Sequence, residues 1–527
     1  MLAAVGFFVL SLGIVRFLRS EFIPSQDMSR FLVRFQTPVG TSLDATDRVF
    51  RQIETFLDTR PEVLKYSGAV GGFGGGEVNT GVVFITMKDP GDRPVDPKRG
   101  RPLSQAEFMG VVRDTVNAIP GSRGSLQDIS QMGFSSTRGF PIEFNVRGRD
   151  WDLLARSARQ IMDEVRQAGD VTDVDSDYQV GMPEVQIIPD RNKAADLGIS
   201  MATIGDTVNS AIGGQRVGKF KDKGRRFDIR VRLLAPQRQR PEDIQRLLVR
   251  TGQGGLVRLG DIVKVEQRPT LQTITRRDRE RAITIFGNVA PGASQDDAIN
   301  RSLEIARRIL PDGYRAIASG SSQAFQESFQ SLFFAFALGL IVAYMVLATQ
   351  FNAFSHPFTV LLALPFSISG ALMALWVAGQ SLNVYSLLGM ILLMGIAKKN
   401  SILLVDFTNQ IRATGVERHD ALLEACPLRL RPILMTSIAT IAGALPPALA
   451  LGPGAELQRP MALALVGGMA VSTLLTLFVV PAAYSVIDDV IVWNDDRRKR
   501  GVGLVAALRT LRSREGSPGE AARLAGP

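Results

Sequence analysis

The sequence predicts a membrane α+β protein in which six transmembrane helices carry a large outer insertion of two split βαβ, ferredoxin-like modules and a docking hairpin. Three observations predict it. Residues 329–397 contain no Asp, Glu, Lys or Arg, the composition of lipid-embedded chain. Strand-like and helix-like periodicities recur in the same order along residues 31–310, and such repeats build βαβ sheets. Between the repeats, a segment of period two flanks a turn rich in lysine, arginine and glycine, the pattern of a hairpin.

The uncharged stretch exceeds the roughly 20 residues that one span needs. It is broken at Gln350–Pro357 and Gly379–Asn383, which gives spans near 331–349, 358–378 and 384–406, the last running through Lys398 and Lys399. Two more lie near 432–451 and 461–487, separated by the turn Gly452–Glu456. Met1–Val15 is apolar but short and stops at Arg16 and Arg19. It reads as a clipped first helix, with a cleaved signal peptide as the alternative.

Basic residues set the orientation. Arg412, Arg418, Arg429 and Arg431 lie in and beside the loop before the last two spans, and Arg497, Arg498, Lys499 and Arg500 in the tail, which makes both segments cytoplasmic. Residues 20–328 then face the outer side, and both termini face inward. The net charge of +10 is what a membrane protein uses for topology, so it names no partner. Nucleic acid is excluded as a partner, because the charged outer segment is on the wrong side and has no aromatic stacking pattern. One cysteine, Cys426, and two histidines, His356 and His419, exclude a disulfide framework and leave little for metal ligation.

In the outer segment Phe31, Val33 and Phe35 alternate, and Thr41–Asp44 caps a helix whose Val49, Ile53, Phe56 and Leu57 share a face. Asn79–Met87 reads as a strand, and Ser104–Glu107 as a capping box before Phe108, Val111, Val112, Val116 and Ile119. The order recurs with Ile142, Phe144 and Val146, a helix capped by Asp150, a strand at Val185–Ile188 and a helix at Ser294–Leu310. Gly218–Leu234 is the hairpin: its turn is Lys221–Arg226, and Asp228, Arg230 and Arg232 alternate with Phe227, Ile229, Val231 and Leu233. Its basic face is either a docking surface or a solvated face. The expected organisation is a first helix at 1–20, a first module at 21–135, a second at 136–213 closed by 271–328, the hairpin segment at 214–270, five helices at 329–487 and a basic tail at 488–527.

Two features carry chemistry. An ammonium at mid-span costs at least about 2.5–3.5 kcal/mol, and no Asp or Glu within these spans is close enough to Lys399 to pair. Asp406 shares its face seven residues on, about 10 Å along the axis. A charged, buried Lys399 therefore needs a carboxylate from outside these spans, and the alternative is that one or both lysines snorkel to the interface. The second feature, Gly68–Gly76, is glycine-rich but is followed by a strand and no Lys-Ser/Thr, which rules out a phosphate loop. It reads as a mobile loop between two strands with Phe73 at its tip, flanked by Tyr66 and Phe84, a small aromatic set suited to apolar ligands. An ordinary flexible loop over a packed core is the alternative.

Gly395–Asp406 (GIAKKNSILLVD), Leu428–Ser437 (LRLRPILMTS) and Pro460–Pro481 with Gly467-Gly468 resemble, in order, the carboxy-terminal half of resistance-nodulation-division (RND) efflux transporters, closest to the hydrophobe/amphiphile branch. Phe22-Ile-Pro, Thr37–Ser42 and the glycine loop with Asn79–Gly81 extend the resemblance over nearly the whole chain. It implies a proton/drug antiporter of the bacterial inner membrane with the outer modules in the periplasm, driven by the proton gradient and needing no cofactor. It implies a homotrimer working with a periplasmic adaptor protein and an outer-membrane channel on hydrophobic or amphiphilic small molecules. On that pattern this chain supplies helices seven to twelve, and a missing amino-terminal half supplies the transmembrane carboxylates. Lys399, Arg429 and Thr436 match the proton relay, the glycine loop with Gly72, Phe73 and Gly74 resembles the switch loop of the drug path, and Tyr66, Phe73 and Phe84 match aromatic pocket positions. Gly71 stands where a second loop aromatic is common, and the outer methionines are scattered, unlike a metal pump's cluster. The rivals are an RND-like protein-export accessory and a transport-incompetent fragment. A membrane enzyme is more remote, since no acid/base or nucleophile constellation lies within the spans.

Overall fold

The structure, a computed structural model, describes residues 2–71, 77–97, 99–130, 139–271, 274–450 and 455–514. The first apolar segment forms α1 (Leu2–Ile14), 13 residues closed by a 3₁₀ turn at Val15–Phe17. At 1.5 Å per residue it is about 20 Å long, short of a hydrocarbon core of about 30 Å. It packs on the later bundle, where Ser11 donates from Oγ to Ser369 Oγ at 2.7 Å.

The first extramembrane module runs β1 (Arg30–Gln36), α2 (Leu43–Asp58), β2 (Val63–Val70), β3 (Thr80–Met87), α3 (Gln105–Ala118) and β4 (Arg123–Asp128). Its antiparallel sheet has the order β2-β3-β1-β4. Local chemistry starts the helices: Ser42 accepts from Ala45 N to cap α2, and Ser104 with Glu107 forms a reciprocal capping box on α3. Alternation in β1 puts Phe31, Val33 and Phe35 into a core with Ile53, Ile85, Phe108 and Leu126, each buried side chain of this size stabilising by about 1.5–3 kcal/mol. The residues between them, including Arg34 and Gln36, face the other side of the sheet.

The second module begins with β5 (Ile142–Gly148), α4 (Trp151–Ala168) and β6 (Val171–Ser176). An insertion follows, consisting of β7 (Val180–Pro189), α5 (Arg191–Asp196), α6 (Met201–Val208), the hairpin β8 (Gln215–Asp222) and β9 (Arg225–Val231), α7 (Pro241–Gln245), β10 (Leu248–Arg250), β11 (Leu256–Arg258), α8 (Leu259–Ile262) and β12 (Val263–Leu271). The module closes with β13 (Arg276–Arg277), β14 (Glu280–Val289), α9 (Gln295–Ile309) and β15 (Arg315–Ala318). Its sheet runs β14-β5-β15, with β6 and β13 both on β14.

Val185–Ile188 is a strand, as expected, but its place as the second strand of this module is corrected, because those residues lie in β7, which pairs with β12 as the stalk of the insertion. The second strand is instead β6, whose sequence VTDVDS offers only Val171 and Val174 to the core and so carries almost no hydrophobic alternation. Both faces of the hairpin are bare: Phe220 and Phe227, paired across the strands, are 58% and 51% exposed.

Among the described residues, five helices are long and apolar enough to span a membrane. α10 (Gly320–Phe351) grows directly out of β15, and its first turns, with Phe325, sit in the core of the second module. The next span is broken into α11 (Ser355–Leu361) and α12 (Ala363–Val377). Pro365 has no N–H for the Leu361 carbonyl, and its ring crowds that oxygen. α13 (Val384–Ala413) and α14 (Arg418–Leu449) overrun the expected spans on the side where Arg412 and Arg418 reach Asp488 and Asp489. α15 (Arg459–Arg514) completes the bundle; most of the expected turn before it lies outside the described residues.

α12 and α15 approach backbone to backbone. A Cβ on Gly467 would stand 2.2 Å from Ala374 Cβ and 2.7 Å from Gly370 O, and one on Gly370 would stand 2.5 Å from Gly467 O. Such contacts hold membrane helices together by close packing. Gly467→Val is therefore expected to destabilise the purified chain by about 1–3 kcal/mol through overpacking, read as a lower thermal midpoint, whereas Gly443→Val, with open space at its Cβ, leaves the midpoint nearly unchanged.

Candidate functional site

The structure brings together three places that matter: a polar seam in the bundle, a junction at its extramembrane end and a cleft between the modules. In the seam, Asn400 on α13 donates from Nδ2 to Ser437 Oγ on α14 at 3.1 Å, and Thr473 on α15 donates to the same oxygen at 2.9 Å. All three residues are buried. Among the described residues Asn400 Oδ1 has no partner, nor have the buried hydroxyls of Ser401, Ser472 and Thr476.

Lys399 adjoins Asn400 but faces the other way. It lies on the exposed stripe of α13 that carries Leu388 and Leu392, a helical spacing of one face. Lys398 is half-buried. Among the described residues Lys399 forms no ion pair; Asp406, exposed further down the stripe, accepts from Gln410 at 2.8 Å. Thr436 adjoins Ser437 and donates to Ile433 O of its own helix at 3.1 Å. Arg429 is two turns from Thr436, with its guanidinium 4.1 Å over the Phe407 ring and its Nε without a partner among the described residues. Lys399 and Thr436 thus flank the Asn400–Ser437 bond, and Arg429 sits one layer nearer the basic loop.

At the junction, residues 19–22 form a strap bonded on both sides. Leu382 N donates to Arg19 O at 2.8 Å and Glu21 N to Leu382 O at 3.1 Å; opposite, Gln295 N donates to Ser20 O at 2.8 Å and Phe22 N to Gln295 Oε1 at 2.7 Å. The Glu21 carboxylate accepts from Ser381 Oγ, and that oxygen accepts from Asn383 Nδ2 at 3.0 Å. Asn383 caps α13, so the helix that carries Lys399 is wired to α9 of the second module. Burial pushes the Glu21 carboxyl up from its ordinary range, against the Ser381 hydrogen bond and the Arg19 charge.

The cleft, of about 920 Å³, lies between the open face of the first sheet and the β6 edge of the second module. Arg34, Arg113, Arg123 and Arg166 face Glu77, Asp173, Asp175 and Asp177 there, with Val82 and Phe286 among them. The expected aromatic set is corrected in part. Tyr66 pairs with Ile85 and Ser67 with Phe84, so Tyr66 lies on the helix side of the sheet and Phe84 on the open side. Strand alternation parts them. The Tyr66 hydroxyl donates to Asp58 at 2.9 Å, which pushes its pKa up to about 12. Gly72, Phe73 and Gly74 lie outside the described residues. The charged lining was missed, although arginines between the buried residues of β1 are a period-two signal for it; the polar seam was missed because lone Ser, Thr and Asn residues in apolar spans form no pattern.

Membrane-length helices hydrogen-bonded into paired extramembrane sheets define a multi-pass membrane protein with a large extramembrane domain. The AcrB/AcrD/AcrF family matches residues 1–488, and the chain belongs to that family of RND transporters. Two solved crystal forms of a heavy metal efflux pump are similar to it in fold, each with a TM-score of 0.81 and 24% identity over 92% of this chain. The matched region is 51% of the solved chain in one form and 50% in the other, so this chain spans about half the length of those pumps.

Two outcomes follow. Ser437→Ala strands the Asn400 amide and the Thr473 hydroxyl, and it should cost about 1–3 kcal/mol, read as a lower thermal midpoint. Because the Glu21 carboxyl is raised in the fold, its junction holds a proton more readily than the unfolded chain does. Its contribution is greatest below the ordinary value of 4.5 and is lost as pH rises through the raised value. Hydrogen exchange of residues 379–386 should accordingly speed up with rising pH, beyond the intrinsic chemical rate, and Glu21→Gln should abolish that excess.

Proposed function

We propose that this chain is one half of a proton-driven efflux pump of the bacterial inner membrane that exports amphiphilic or hydrophobic compounds. The observation that carries the reading is Lys399, an ammonium on the exposed stripe of a membrane-length helix whose members before it, Leu388 and Leu392, are apolar and whose one acid, Asp406, is too far along to pair with it. An apolar stripe is tolerated against lipid; an ammonium in it is not. A second six-helix half, whether in the same polypeptide or another, would cover that stripe and set carboxylates against Lys399. Protonation of those carboxylates discharges the pair, and charging it again restores the attraction, so each proton changes how the two halves sit. Arg429 and Thr436 are the other relay groups in this reading.

The extramembrane modules, read as split βαβ units in the periplasm, receive the motion. α13 pulls on the strap through Asn383, and the strap on α9. α10 is continuous with β15, so helix tilt becomes movement of the second module against the first, across the cleft. A cleft of mixed arginines, carboxylates and aromatic edges suits molecules with both apolar and charged parts. The switch-loop residues Gly72, Phe73 and Gly74, with Phe84 on the open face, belong to the path, and Tyr66 supports it from behind. The bare hairpin β8–β9 is the arm that docks on a neighbouring copy in a homotrimer, below a periplasmic adaptor and an outer-membrane channel. Export of metal ions is the second reading, because the similar solved structures are of a heavy metal efflux pump.

The test is extrusion from vesicles with an imposed proton gradient, using this chain together with a half that bears transmembrane carboxylates. An amphiphilic dye should be extruded, and Lys399→Ala should reduce the rate by about tenfold or more, since breaking a buried ion pair costs about 3–5 kcal/mol. Gradient-dependent movement of divalent or monovalent metal ions with no movement of dye would favour the second reading.

A further inference from the structure

The β6–β14 pairing slips at one point: Phe286 stands opposite Asp175, but Asn288 stands opposite Thr172. Asp173 and Val174 therefore face the single residue Gly287, which is a β-bulge on β6. Only glycine fits there, because a Cβ on Gly287 would stand 2.6 Å from Val171 Cγ1 and 3.0 Å from Thr172 O. Asp173 takes φ 55°, a left-handed conformation that aspartate tolerates better than most residues. Bulges re-aim side chains, and this one turns a carboxylate out of its own sheet.

The carboxylate crosses to the other module. Arg113 on α3 donates from Nε to Asp173 Oδ1 at 2.9 Å and to Oδ2 at 3.0 Å. Asn288 Nδ2 donates to Asp173 Oδ2 at 2.8 Å and to the Leu126 carbonyl of β4 at 2.7 Å. One carboxylate and one amide thus join α3 and β4 of the first module to β6 and β14 of the second. The Asp173 side chain is 4% exposed and that of Arg113 is 22%, so the pair is shielded from water and salt, unlike the looser Arg123–Asp175 contact at 3.8 Å. Both Arg113 and Asp173 line the cleft, and the cleft cannot widen at that wall without parting them.

We propose that Arg113, Asp173 and Asn288 form a releasable latch between the two modules that sets the width of the cleft. The bulge at Gly287 is the part that aims it. The latch rests on the efflux reading only for its purpose, since its mechanical action belongs to this chain alone. Arg113 and Asp173 are positioning residues here: they hold the walls and take no part in the proton relay.

The test is a distance measurement by double electron–electron resonance on the full chain in lipid nanodiscs. Spin labels at Thr55→Cys on α2 and Gln160→Cys on α4, both exposed positions, are placed in a Cys426→Ser background. The expected result is a narrow distribution that broadens and moves to longer separation in both Asp173→Asn and Arg113→Met. Should Asp173→Asn disturb the bulge and fail to fold, Arg113→Met decides, because Arg113 lies on a helix of the other module. An unchanged distribution in a folded Arg113→Met chain overturns the latch. The readout needs no substrate: a shifted distance with no extrusion would leave the latch standing and remove the pump, and extrusion with an unshifted distance would do the reverse.

Discussion

A lysine on the exposed stripe of a membrane-length helix, behind the apolar Leu388 and Leu392, is the constraint from which the rest of this structure is best understood. Lys399 cannot face lipid cheaply, and it is not compensated within the described residues. Immediately behind it, Asn400, Ser437 and Thr473 tie α13, α14 and α15 together. The bundle therefore holds the lysine on a rigid three-helix support and presents it outward. A support of this kind suits the proposed charge-driven movement, because a force on Lys399 would be passed to three helices at once.

That force has a route to the extramembrane modules. α13 begins at Asn383, which bonds through Ser381 to Glu21, and the strap that contains Glu21 is bonded in turn to α9. A second connection is covalent, with β15 running into α10. At the base of the first module, Asp27 is gripped by the buried Arg93, whose Nη1 and Nη2 reach it at 2.6 and 2.5 Å. The second module is thus attached to membrane-length helices at two points, and the cleft lies where it meets the first. In the proposed mechanism the strap and the latch divide the labour: one transmits displacement and the other resists it.

Much of the extramembrane fold was legible because its signals are local. Ser42, Ser104 and Asp150 announce their helices by side-chain capping, and the alternation of Phe31, Val33 and Phe35 announces β1. β6 was not legible, since an edge strand with two inward valines carries no periodicity, and Val185–Ile188 took its place in the reading. In the membrane, the uncharged run gave the spans, but the break between α11 and α12 depends on Pro365 within an unbroken apolar stretch. Lys399 was found because a charge in a span is conspicuous. The groups behind it were not, because Asn400, Ser437 and Thr473 acquire meaning only when three helices converge. The cleft chemistry is tertiary in the same sense: Asp173 reaches Arg113 through a bulge that no spacing reveals.

The most direct test of the central claim is the charge state of Lys399 itself. Solid-state ¹⁵N NMR of lysine-labelled chain in bilayers, with Lys399→Arg to assign the signal, reads the side-chain nitrogen with and without a carboxylate-bearing second half. The account predicts an ammonium signal that shifts when the second half is present and changes again when its carboxylates are protonated at low pH. A Lys399 signal that is identical alone and in the pair, at every pH, would contradict it.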